Sequence, residues 1–298
     1  MALLSAYNQF VRKDLLRCGV LSKTTALAGT EIHYYEAPGD PSVFPTVLVH
    51  GFGDSANTWY QVIGPLARAL GRVYALDLPG AGFSKVPPGQ DHPTLVDCGL
   101  ALTRFLDEVV RDPCLLVGQS LGGALVLRVA SLHAHPLAGV AAIAPAGAPF
   151  TTEQMADLRA AFAVPDRAAG RALLGRIFTA VPWTLKLVER DLRALWRSPP
   201  VKKLLESMTQ DDYLRPEELS AIDAPALVLW GTEERLLPQA FLDYYRAHLP
   251  NARVEVVRGW GHAPQMERPG ELLHRLVDFG RTLSVPAKAA PGARRVLG

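Results

Sequence analysis

Four short apolar runs constrain this chain more than any other feature: Pro45–His50, Cys114–Gly118, Gly139–Ala144 and Ala226–Gly231. None alternates apolar with polar residues, which is the pattern of strands buried on both faces of a parallel sheet. Each is followed by helical periodicity, at Ala56–Leu70, Gly122–Leu132, Glu153–Phe162 and Gln239–His248. Strand–helix alternation of this kind builds a parallel sheet with right-handed crossovers and helices on its faces. Further strands are expected at Thr30–Glu36, Val73–Leu78 and Arg253–Arg258, and further helices at Thr94–Val110 and Gly270–Leu283.

The alternation breaks once. From about Phe150 to Leu219 the patterning is helical only, over residues 153–162, 168–180, 184–196, 201–208 and 216–219. A helical segment inserted before the last two strands of such a sheet reads as a cap over the strand ends, where these folds bind ligands. The expected organisation is a lead-in at residues 1–27, an α/β core at 28–149 and 216–284, a cap at 150–215 and a disordered tail at 285–298. Within the lead-in, Leu3, Leu4, Tyr7, Phe10, Val11 and Leu15 fall at helical spacing. That amphipathic helix is expected to dock on the body, with contact to a membrane surface as the alternative.

Charge and cysteine content narrow the class. Across 298 residues the formal net charge is +2, which gives no reason to expect a nucleic-acid partner. Cys18, Cys98 and Cys114 are three scattered cysteines without a CxxC pair, unlike a disulfide framework or a zinc site. The first residues lack the apolar core and cleavage site of a signal peptide, and no run reaches the roughly 18 apolar residues of a membrane span. A soluble, cytoplasmic protein is the expectation.

The chemistry concentrates in Gly118-Gln119-Ser120-Leu121-Gly122-Gly123. Ser120 falls between an apolar strand and an amphipathic helix, the context of a nucleophile elbow. A sharp strand-to-helix turn strains the serine backbone, and side chains at 118 and 122 would collide with the neighbouring strand and helix. A serine hydroxyl needs an adjacent base. Of eight histidines, His33, His92, His133, His135, His248 and His274 lack companion residues in the sequence, and His50 ends a buried strand, where it shapes its loop. His262 lies in the glycine-flanked loop Gly259-Trp260-Gly261-His262-Ala263-Pro264 after a strand, and is the candidate base. An acid to orient it is expected after Ala226–Trp230, where Glu233 and Glu234 compete. The order nucleophile, acid, base is the one this fold uses. Two backbone N–H groups should stabilise developing negative charge, from Leu121 after the nucleophile and from Phe52 in His50-Gly51-Phe52-Gly53.

Five blocks in order then resemble the α/β-hydrolase superfamily, in its cap-bearing branch of esterases, lipases and carbon–carbon bond hydrolases. They are His50–Gly53 with Trp59, Asp77–Ser84, Gly118–Gly123, Trp230–Pro238 and Gly261–Pro269. The resemblance covers about residues 28–150 and 215–283 and implies the α/β-hydrolase fold. Its pattern W-G-x-x-D-x-x-x-P, aligned on Trp230, Gly231 and Pro238, implies Glu234 as the acid, one methylene longer than the usual Asp. Some relatives carry the acid before the cap, but Ala144–Ala148 holds none. The resemblance implies no metal and no organic cofactor, and Ser120 separates the chain from relatives with an Asp nucleophile. The Asp77–Ser84 block reads as a structural loop beneath the site.

Apolar residues of the cap (Met155, Phe162, Ile177, Phe178, Trp183, Leu185, Trp196, Leu204, Leu205 and Met208) are expected to divide between cap core and a pocket for acyl or aromatic groups. Ten Lys/Arg against four Asp/Glu between Ala156 and Lys203 read as a solvated face, with attraction of an acidic substrate or membrane as the alternative. The leading functional expectation is a carboxylic-ester hydrolase acting through an acyl-enzyme. The alternatives are a carbon–carbon bond hydrolase of a ketone and a non-catalytic binding protein of the same fold.

Overall fold

The computed structural model describes residues 2–284; the expected tail, residues 285–298, lies outside them. Among the described residues the strands form one eight-stranded sheet, ordered β1-β2-β4-β3-β5-β6-β7-β8. In chain order they are β1 (Leu21–Leu27), β2 (Thr30–Ala37), β3 (Thr46–Val49), β4 (Val73–Leu76), β5 (Cys114–Gln119), β6 (Leu137–Ile143), β7 (Ala226–Gly231) and β8 (Ala252–Val257). β1 and β2 form an antiparallel hairpin, β2 runs antiparallel to β4, and every other pairing is parallel. β1 is not among the strands that the apolar pattern predicts. Its run LSKTTAL is largely exposed at the sheet edge and carries no continuous apolar signal.

The continuous runs form central strands because both of their faces are covered. In β5, Cys114 and Leu116 point into one core cluster, and Leu115 and Val117 into the other. The same alternation holds in β6 for Val140 and Ala142 against Ala141 and Ile143, and in β7 for Val228 against Leu227 and Leu229. Neither face meets water, and apart from Gln119 at the end of β5 no polar residue falls in these strands.

Helix α1 (Ala2–Arg17) buries Val11 and Leu15 against the body, and α2 (Tyr60–Leu70) follows β3. Helix α3 (Leu95–Phe105) opens with a reciprocal capping box between Thr94 and Asp97 and continues as a π-helical turn over Leu106–Val110. Helix α4 (Leu121–Ser131) leaves β5 directly. Between β6 and β7 come α5 (Thr152–Ala163), α6 (Arg167–Ile177), α7 (Trp183–Leu187), α8 (Glu189–Trp196), α9 (Pro199–Ser207) and α10 (Pro216–Ser220). These enclose a third apolar cluster, including Phe162, Leu174, Trp196 and Leu205, which also takes in Leu236 and Ala263 from the loops after β7 and β8. Two spans differ from the sequence reading: the helix expected over 168–180 stops at Ile177, and that over 184–196 divides at Val188. The remaining helices are α11 (Ala240–His248), α12 (Pro264–Glu267) and α13 (Pro269–Thr282).

Candidate active site

Ser120 occupies the single residue between β5 and α4, with φ 54° and ψ −117°. A positive φ is costly for a residue with a side chain and persists only where its surroundings over-determine it. Here they do. The Ser120 N–H donates to Ile143 O at 2.9 Å, while its carbonyl accepts from Ala124 N and Ala146 N, each at 3.0 Å. A Cβ on Gly118 would sit 2.1 Å from Gly122 O, and one on Gly122 would sit 2.4 Å from Val49 O. The spacing of the motif thus follows from helix packed on strand at contact distance, with no room for side chains at either position.

His262 is held from three directions. Its backbone N–H donates to Ile177 O at 3.0 Å, and its carbonyl accepts from Gln119 Nε2 at 2.8 Å. Its ring Nδ1 lies 2.7 Å from Glu234 Oε2. A carboxylate only accepts, so Nδ1 is the donor and Nε2 is left as an acceptor. The two glutamates differ sharply. The Glu234 side chain is 2% exposed, and its Oε1 accepts from Leu236 N at 2.7 Å and Leu237 N at 3.0 Å. The Glu233 side chain is 43% exposed and pairs with Arg235. The extra methylene at 234 is absorbed by the turn that follows, whose two amides grip the oxygen facing away from His262.

Ser120, Leu121, Phe52 and His262 border one cavity of about 140 Å³. Its apolar lining comes largely from the segment between β6 and β7: Phe162, Phe178, Leu185, Trp196, Leu205 and Met208. Phe52 packs edge-on against Phe162 with ring centroids 5.0 Å apart. Of the apolar residues expected there, Trp183 is instead exposed, Met155 lies outside the cavity lining, and Leu204 borders a neighbouring cavity of about 590 Å³. Of the basic residues of the segment, Arg159, Arg197 and Lys202 border a third cavity of about 360 Å³ that shares Phe52, Phe162, Trp196 and Leu205 with the one at Ser120. Eight of the ten Lys/Arg are exposed, while Arg176 and Arg193 pair with Asp157 and Glu189. No Lys or Arg borders the first two cavities.

Four further side chains depart from or extend the sequence expectations. Gln119, inside the motif but unremarked in the sequence, reaches across 143 positions to the His262 carbonyl, and nothing in its local context signals that bond. His50 has both ring nitrogens engaged, accepting from Leu78 N at 3.0 Å and donating to Gly51 O at 2.8 Å. His33 and His135, read as lacking companions, are buried beside Asp77 at 2.7 Å and Asp107 at 3.2 Å. His33 also meets Ser22 Oγ at 2.8 Å, which completes a serine–histidine–aspartate chain away from Ser120. That chain borders neither cavity, and Asp77 further accepts from Ala56 N and Phe83 N. It braces the edge hairpin against the Asp77–Ser84 loop.

The model of the Alpha/beta hydrolase family matches residues 46–275, which contain every residue of the site. The chain belongs to this family. The hydrolase is 29% identical over 269 residues to the dihydrolipoyllysine-residue acetyltransferase component of the acetoin cleaving system of Pseudomonas putida, covering 88% of this chain and 70% of that one. It is 28% identical to a 2-hydroxy-6-oxo-6-phenylhexa-2,4-dienoate hydrolase of Comamonas testosteroni, covering 84% and 91% of the two chains. Among solved structures it is similar to a membrane phospholipase A described as a bacterial virulence factor. The TM-score is 0.81 at 26% identity, over 94% of this chain and 91% of that one.

Proposed function

We propose that this hydrolase cleaves carboxylic esters through an acyl-enzyme, with Ser120 as nucleophile, His262 as general base and then acid, and Glu234 as its orienting carboxylate. The observation that carries the reading is the buried Glu234–His262 pair, whose remaining ring nitrogen, Nε2, belongs to a histidine bordering the same cavity as Ser120. Ser120 Oγ attacks the ester carbon as His262 Nε2 takes its proton. The Leu121 and Phe52 N–H groups receive the developing oxyanion, a contribution of about 10²- to 10³-fold per donor. The alcohol leaves with the proton from His262, and water deprotonated by the same nitrogen releases the acid.

The cavity favours an uncharged, apolar acyl or aromatic group. Residues 150–215 act as a cap whose inner face supplies the acyl pocket. A ketone substrate bearing a carboxylate, as carbon–carbon bond cleavage of a dienoate requires, would meet no Lys or Arg in the lining of the cavity at Ser120; Arg159, Arg197 and Lys202 border the adjoining third cavity instead. A non-catalytic role leaves the cost of the strained Ser120 turn without a purpose. No described helix is long and apolar enough to cross a membrane. Free buried thiols at Cys98 and Cys114 suit the reducing cytoplasm.

The test is turnover of p-nitrophenyl esters from acetate to laurate, with a pre-steady-state burst of nitrophenol, in the parent and Ser120→Ala. A burst close to one equivalent in the parent and none in the variant is expected. Inert esters together with turnover of a dienoate ketone would transfer the assignment to carbon–carbon bond cleavage.

A further inference from the structure

The acyl chemistry above uses the smaller cavity and leaves the larger one without a role. The two share Phe52, Asp54, Leu121, Leu185, Leu192 and Met266, so they adjoin along the loop that follows β3. Their chemistry differs. The larger cavity adds hydrogen-bonding side chains, among them Asn8, Asn57 and Thr58, to Asp54. Two of these are already committed. Asn57 accepts from the Tyr35 hydroxyl at 2.9 Å and donates to Asn8 Oδ1 at 3.0 Å, and Thr58 Oγ1 accepts from Gln265 at 3.0 Å. What remains is complementary. Asn8 keeps its amide NH₂ as a donor, and Asp54, half-buried and bordering both cavities, keeps acceptor positions beyond its bonds from Ser55 N and the Thr58 hydroxyl.

We propose that the larger cavity receives the leaving alcohol, and that Asp54 and Asn8 select an uncharged, hydroxyl-bearing alcohol. This rests on the ester-hydrolase reading. A diol both donates and accepts, so neighbouring hydroxyls satisfy the carboxylate and the amide together. A simple alkyl alcohol leaves both unpaired when it displaces their water. A phosphate-bearing alcohol brings negative charge to Asp54 with no Lys or Arg in the lining to offset it. A quaternary ammonium cannot bond Asp54 through hydrogen and presents nothing to the Asn8 donor. Burial pushes the Asp54 carboxyl above its ordinary value, and its oxygens remain able to bond a hydroxyl. Asn8 belongs to α1, anchored by Leu4 N to Asp191 Oδ2 at 2.9 Å and by Tyr60 to Asp14 at 2.5 Å. The lead-in helix is therefore part of the site.

The experiment compares octanoyl esters that differ only in the alcohol: ethyl, 2,3-dihydroxypropyl, choline and glycerol phosphate. The expected parent preference in kcat/KM is for the dihydroxypropyl ester over the ethyl ester by about tenfold or more, with the choline and phosphate esters below it. Asp54→Leu should bring the dihydroxypropyl-to-ethyl ratio to within about twofold of unity, and Asp54→Asn, which keeps an acceptor, should recover part of it. Asn8→Leu, on a separate element, should shift the ratio in the same direction and serves if Asp54→Leu does not fold. A fluorophosphonate adduct, measured in every variant, reports whether the reacting groups remain assembled. Preference for the choline or phosphate ester, or a ratio unmoved in both leucine variants, overturns the subsite while an adduct on the parent leaves the ester reading standing. Absence of that adduct from the parent overturns both.

Discussion

The Glu234–His262 contact yields the sharpest quantitative expectation. Replacing Glu234 by Gln preserves length and shape but exchanges one oxygen for an NH₂. The amides of Leu236 and Leu237 require an acceptor at the Oε1 position, so the retained oxygen stays there. The NH₂ then faces His262 Nδ1 across what is a 2.7 Å contact in the parent, and Nδ1 must become the acceptor. The ring proton moves to Nε2, which can no longer take the Ser120 proton. Loss of the correct tautomer in such a constellation costs about 10³- to 10⁴-fold in kcat, roughly 4 to 5 kcal/mol of barrier. The opposite amide orientation sets NH₂ against two N–H groups and offers no escape. Glu234→Asp retains the charge but withdraws the carboxylate by about one bond length, a misplacement of the order that costs about 10²-fold. Glu233→Gln, on an exposed side chain, should stay within about twofold. The assay is steady-state kcat on a medium-chain p-nitrophenyl ester, with thermal unfolding as a check on folding. The reasoning fails if Glu234→Gln keeps more than a tenth of parental kcat, or if the two Gln variants lose equally.

Other expectations concern the elements around that contact. Gln119→Ala removes the bond to the His262 carbonyl and should lower kcat by about tenfold or more at nearly constant KM; a rise in KM at constant kcat would count against a positioning role. Gly122→Ala places a methyl 2.4 Å from Val49 O and should cost about 3 kcal/mol or more of stability, read as a drop in Tm and denaturation midpoint; an unchanged Tm would show that the turn tolerates a side chain. Burial pushes the Cys98 thiol up to about 12 and the Cys114 thiol higher still, so both stay protonated at pH 8. Peptide mass mapping after iodoacetamide treatment of the native protein should therefore find Cys18 alkylated and the other two intact.

The sequence was most legible where one physical cause acts locally. Runs such as Cys114–Gly118 announce buried strands because both faces are covered, and the glycines at 118 and 122 announce a turn with no room for a Cβ. The edge strand Leu21–Leu27 was silent because an exposed strand needs no apolar pattern. The helix end at Ile177 has no local mark, its carbonyl being taken by His262 N from a loop distant in sequence, and no proline or glycine marks the break at Val188. In the site, Ser120 and His262 carry glycine-flanked local signatures, whereas the preference for Glu234 over Glu233 rests on alignment, and the bonds of Glu234 to the Leu236 and Leu237 amides and to His262 lie beyond any local pattern. Gln119 and the pairing of His33 with Asp77 depend on contacts across 143 and 44 positions, and no single-sequence pattern encodes those.

The central claim is that Ser120 is a nucleophile activated by the buried His262–Glu234 pair. Its most direct test is reaction with a fluorophosphonate, followed by intact mass and peptide mapping. One adduct per chain on the peptide containing Ser120 is expected, absent in Ser120→Ala, and formed far more slowly in His262→Ala. An unmodified parent protein, an adduct on another serine such as Ser22, or labelling at equal rates in parent and His262→Ala would contradict it.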